Sequence, residues 1–96
     1  MIMINDFKKE VMDWAGEVGV QPKEIQIRKM KKKWASCSSK GRLSFSYELL
    51  NKNYEQRAKA IVHELLHLRY PNHSKIFHSL LISHLSKKGI KVSIKL

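Results

Sequence analysis

At 96 residues, 43% of them apolar and 28% charged, the chain is long enough for one hydrophobic core and too ordinary in composition to be disordered throughout. Nineteen Lys and Arg against eight Asp and Glu leave a net charge of +11 at pH 7, a positive potential suited to phosphates, nucleic acid or an anionic surface. The lone cysteine, Cys37, excludes an internal disulfide, and no stretch approaches the ~18 apolar residues that a membrane-spanning helix requires.

The first residues, Met1 to Asn5, meet charge at Asp6, too early for the apolar region of a signal peptide, so the expected location is the cytoplasm. Phe7, Val11, Trp14, Ala15 and Val18 recur at helical spacing and predict an amphipathic helix over 6–18, with Asn5 or Asp6 as its cap and Gly16 or Gly19 as its stop. After Gln21-Pro22, the alternation of Ile25 and Ile27 with Gln26 and Arg28 predicts a half-buried strand. A second extended run covers Lys33 to Cys37, and Ser38-Ser39-Lys40-Gly41 has the composition of a turn. Leu43, Phe45 and Tyr47 alternate with Arg42, Ser44 and Ser46, which predicts a strand over 43–47 paired as a hairpin with the run before it.

Glu48 to Asn53 is a short connection, and Asn53 followed by Gln56 reads as a capping box. Ala58, Ile61, Val62, Leu65 and Leu68 then predict a long helix that Pro71 ends. A last helix is predicted from about Ser74 to Lys88, with Ile76, Phe77, Leu80, Leu81 and Leu85 on its buried side and Gly89 as its stop. Val92, Ile94 and Leu96 suggest a short terminal strand. The expected fold class is α+β: one domain over 1–96 with an N-terminal helix, about three mainly antiparallel strands and two further helices.

The long helix carries the chemistry. In Ile61-Val62-His63-Glu64-Leu65-Leu66-His67, the histidines are four residues apart, so their imidazoles lie one turn apart on one face and can share a metal ion. Glu64 is then positioned as a general base toward a water whose pKa zinc lowers to about 7. Leaving these polar groups without partners on a helix that is largely buried would be costly, which favours a metal site over chance placement.

A catalytic zinc site requires a third protein ligand, and Glu64 is the last acid of the chain, so a later carboxylate is excluded. His73, His78 and His84 remain as candidates. His73 lies six residues beyond His67, after a Tyr70-Pro71-Asn72 break that lets the chain turn back. A known histidine-rich motif has the same offset but places glycine where this chain has Tyr70, so the turn must differ. His78 and His84 read instead as partly exposed or core-edge histidines of the last helix.

Four stretches carry a resemblance to the YgjP-like family of predicted metal-dependent hydrolases, relatives of the SprT-like, zincin-type metallopeptidases. They are Met30 to Leu50 with its Lys33-Trp34-Ala35-Ser36-Cys37-Ser38 turn, Ile61 to Leu68, Pro71 to Phe77, and Trp14 to Pro22. The resemblance implies a small zincin-like domain binding one Zn2+ through His63, His67 and His73, with Glu64 as base and Asn72 and Ser74 shaping the ligand loop. It also implies a minimal catalytic core whose cleft self-association or a partner would complete, with His78 where a tryptophan is common.

Around the site, Lys33 is a candidate contact for a substrate anion and Ser36 a candidate hydrogen-bond donor, while Trp34 is expected to act as a packing anchor and Cys37 as a buried structural thiol. Residues 21–42 hold eight basic side chains against Glu24 alone. Three functions follow: a zinc-dependent hydrolase of peptides, the same water activation applied to a nucleotide phosphoanhydride, or a non-enzymatic basic module that binds nucleic acid. If the substrate is a peptide, the strand at 43–47 or its hairpin partner is expected to form the cleft rim.

Overall fold

The computed structural model describes residues 1–92. The chain forms helix α1 (Ile4–Val18), strands β1 (Glu24–Arg28), β2 (Ala35–Cys37) and β3 (Arg42–Ser46), a 3-10 turn (Tyr47–Asn51), and helices α2 (Tyr54–His67) and α3 (Lys75–Ser86). This is the expected α+β class. The terminal strand suggested at Val92, Ile94 and Leu96 falls largely outside the described residues. No helix among those residues is long and apolar enough to cross a membrane.

α1 starts earlier than its sequence signals: Met3 occupies the cap, and Asn5 and Asp6 lie inside the helix. The amide of Ile2 donates to the carbonyl of Leu50 at 3.0 Å, so a tertiary bond fastens the start of the chain where no side chain caps it. Gly19 ends the helix at φ 83°, a conformation that glycine adopts without strain. Phe7, Val11, Trp14 and Ala15 bury the inner face.

The sheet order is β1-β3-β2, with β1 parallel to β3 and β2 antiparallel to it. The sheet is therefore mixed, where a mainly antiparallel one was expected. Alternation reports which faces of a strand are buried and carries no information about its neighbour; here the loop after β1 and the whole of β2 serve as the crossover that a parallel pair requires. The hairpin between β2 and β3 does form, closed by Ser38 N–H to Arg42 O at 2.9 Å and by Gly41 at φ 90°.

As the central strand, β3 is enclosed more fully than period two predicts. Ser44 and Ser46, expected to face outward, are buried; Ser44 Oγ accepts from Gln26 Nε2 at 3.1 Å and Ser46 Oγ from the Glu48 amide at 3.2 Å. Tyr47, expected to continue the inner face, instead opens the 3-10 turn and is 50% exposed.

The capping box at the start of α2 is present: Asn53 Oδ1 accepts from Gln56 N–H at 2.9 Å, and Gln56 Oε1 from Asn53 N–H at 3.4 Å. One turn later, Arg57 forms a two-pronged ion pair with Glu10 of α1, Nη2 to Oε1 at 2.8 Å and Nε to Oε2 at 3.0 Å, fastening the two helices. Ala58, Ile61, Val62, Leu65 and Leu66 then bury against α1, the sheet and α3 as one cluster. From α3 only Phe77 and Leu85 are fully buried; Ile76, expected on that face, is 61% exposed.

Candidate metal centre

The last turns of α2 present His63 and His67 on one face, their ring centroids 4.7 Å apart. The helix ends at His67, Tyr70 N–H returns to Leu66 O at 2.8 Å, and Pro71 redirects the chain. This brings the His73 ring to 5.0 Å from that of His63 and 4.8 Å from that of His67. One ring nitrogen from each of the three lies within 4.8 Å of the others. His84 stays on the opposite side, its Nδ1 3.9 Å from Glu17 of α1, and His78 is exposed and outside the cleft lining.

The rings are oriented by contacts that select their tautomers. A carbonyl can only accept, so His67 Nδ1 donates to Tyr70 O at 3.1 Å and its Nε2 presents a lone pair. That Nε2 lies 3.0 Å from His73 Nε2. His63 Nδ1 donates to Glu64 Oε2 at 3.0 Å, which frees its own Nε2. Beneath all three sits Phe77, fully buried, its centroid 5.2, 4.8 and 5.0 Å from His63, His67 and His73. Ser74 seats that ring by capping α3, its Oγ accepting from Phe77 N–H at 3.3 Å.

Sequence periodicity identified Phe77 as a core residue and missed its place under the imidazoles, and it did not identify the Tyr70 carbonyl. The proline after Tyr70 was the available signal, because it fixes the backbone that aims this carbonyl.

Glu64 is 8% exposed and lies at the boundary of two clefts. The first, about 490 Å3, runs between α2 and β2, where Lys33, Ser36 and Cys37 face His63, His67 and His73. The second is apolar and lies beyond Glu64; Trp34 lines it, 39% exposed with the Lys52 ammonium 4.8 Å over its ring. Trp34 is thus a partly exposed cleft wall, where a packing anchor was expected. Asn72 is exposed on the turn and lies outside the cleft lining.

The titration shifts follow from this arrangement. His73 is held below its ordinary value by lost hydration and then by the charge it would share with His63, His67 and His78; Glu64 opposes them. The Cys37 thiol is pushed up by burial and next by the negative charge of Glu64, so at neutral pH it is protonated. It is half-buried against the core, short of the full burial expected. Three imidazole nitrogens, two with lone pairs freed by hydrogen bonds on the opposite ring atom, suit a borderline-soft divalent ion. Glu64 lies beside them, bonded to His63.

The family described as YgjP-like, metallopeptidase domain, matches residues 2–89. Among solved structures, the crystal structure of the metallopeptidase zymogen abylysin of Pyrococcus abyssi is similar over 95% of this chain and 100% of that one, with a TM-score of 0.65 and 21% identity. At that identity the likeness concerns the fold. No curated protein matches this chain.

Proposed function

This chain belongs to the YgjP-like family of metallopeptidase domains, and we propose that it is a metal-dependent hydrolase of peptide bonds. The observation that carries this reading is the convergence of His63, His67 and His73 beside the buried carboxylate of Glu64 at a cleft bordered by a strand edge. His63, His67 and His73 would hold the ion, with zinc the preferred one. When bound, it supplies Lewis acidity, which lowers the pKa of a water to about 7 and polarises a carbonyl.

The chain's own groups do the rest. Glu64 takes a proton from the attacking water and passes it to the departing amine nitrogen. The Tyr70 carbonyl and Phe77 keep the imidazoles aimed throughout. β2 aligns the substrate. Trp34 O accepts from Ser46 N–H and Ser38 N–H donates to Arg42 O, so the even-numbered residues of this run turn their backbone groups to β3. Ala35 and Cys37 therefore turn theirs to the outer edge, unpaired among the described residues, where an extended peptide can pair with them.

Lys33 favours one further reading, in which the same water activation cleaves a nucleotide phosphoanhydride whose charge the ammonium neutralises. Lys31 and Lys32 are exposed and outside the cleft lining, so a single lysine supports it. Metal analysis with parallel peptide and nucleoside triphosphate assays separates the two. We expect Glu64→Gln to retain the metal and lose peptide hydrolysis by about 100-fold or more, and His67→Ala to lose both. A wild-type protein that takes up no transition metal on supplementation would overturn the proposal.

A further inference from the structure

Beyond the hydrolytic centre, the geometry points to a specificity subsite: the apolar cleft beyond Glu64 receives a large apolar side chain of the substrate peptide, next to the scissile bond. This rests on the peptidase reading and names the class of substrate it selects. The cleft has a volume of about 530 Å3 and lies between Trp34 on the β2 side and Ala60, Leu81 and Leu85 of α2 and α3. Leu85 is fully buried and forms the floor, whereas Trp34 is 39% exposed.

The two clefts adjoin. Ala35, His63 and Glu64 line both. Residues of an extended peptide advance about 3.3 Å each, with side chains on alternate sides, so a substrate held on the edge of β2 with its carbonyl at the imidazoles brings an adjacent side chain within reach of Trp34. Transfer of a phenylalanine or leucine side chain into these walls is favourable by the area it removes from water. A charged side chain would lose hydration against these walls; the acid of the lining, Glu64, is already bonded to His63, and Lys59 in the lining and Lys52 over the indole disfavour lysine or arginine most.

Metal-loaded protein is assayed on a peptide series that varies one residue beside the cleaved bond among Phe, Leu, Ala, Glu and Lys. We expect kcat/KM for Phe or Leu to exceed that for Ala at least tenfold, with Lys lowest, and Trp34→Ala to reduce the Phe-to-Ala ratio to about threefold or less. Lys59→Glu should raise the Lys peptide relative to the others. A second readout does not depend on turnover: in a Trp14→Phe, Glu64→Gln background, the fluorescence of Trp34 should change on adding the Phe peptide and not on adding the Lys peptide. Failure of metal-loaded wild type to cleave any peptide overturns the peptidase reading and this inference with it. Cleavage with a preference that Trp34→Ala leaves unmoved, or an indole signal indifferent to the Phe peptide, overturns the subsite alone.

Discussion

His67 illustrates how much of the site depends on groups that would not touch the ion. Its ring is fixed by a backbone carbonyl at 3.1 Å and by the Phe77 ring, centroids 4.8 Å apart, before any metal arrives. Phe77→Leu keeps the volume nearly filled but withdraws the flat support from three imidazoles; it should cost about 1–2 kcal/mol in urea unfolding and weaken metal affinity about tenfold, read by competition with a chromogenic chelator. Cys37 reports on Glu64 from the other side of the cleft. Because burial and then the Glu64 carboxylate hold its thiol above the ordinary value, little thiolate exists at pH 8 and alkylation should be slow. Glu64→Gln removes the second cause, so the thiol pKa falls and the alkylation rate at pH 8 rises; an unchanged rate would show that the two groups do not interact. The histidines themselves were legible from their spacing of four residues on a predicted helix, whereas their support was not, because Phe77 and the Tyr70 carbonyl act through contacts made after the chain turns at Pro71.

Among the elements, α2 is the one its sequence specifies most completely. The Asn53–Gln56 capping box, the apolar stripe and the stop before Pro71 all act within a turn or two, and the helix runs from Tyr54 to His67, with Leu68 of the expected stripe serving as its C-cap. The strands are different. Period two located β1 and β3, and β2 reads as an extended run, yet alternation assigned Ser44 and Ser46 to solvent and left the neighbour of β1 undecided, since the burial of β3 comes from elements distant in the chain, Phe7 of α1 against Phe45 among them. That order makes β2 an edge and β3 the centre, so of the two strands expected to border the cleft, it is β2 that does so. Ala35→Pro removes an amide that β3 does not use; circular dichroism should stay native while peptide cleavage falls below detection. Ser36→Pro, at a residue whose backbone faces β3, should disrupt the hairpin instead.

Across the whole molecule, the core and the site are separable. The cluster built on Phe7, Phe45, Leu49, Ile61 and Leu65 is buried without help from the three imidazoles, and the Arg57–Glu10 pair fastens α1 to α2 away from them. Chelating the metal should therefore abolish hydrolysis while the far-ultraviolet spectrum persists, with only the drop in melting temperature that loss of a bound ligand entails. Unfolding on chelation would show that the site is structural. Charge is divided on the same scale: Asp6, Glu10, Asp13 and Glu17 all lie on α1, while Arg28, Lys29, Lys31, Lys32 and Lys33 crowd the passage from β1 to β2. By itself the amino-acid sequence determined the helices, the approximate strands, the capping of α2 and the presence of a histidine pair with an adjacent acid, because these arise from hydrogen bonds and periodicities that close within a few residues. Only the tertiary structure decided that β1 runs parallel to β3, that β2 is an edge strand among the described residues, that Phe77 underlies the imidazoles and that Trp34 walls an open cleft. Those outcomes depend on which distant faces pack together, and packing is settled by the core as a whole.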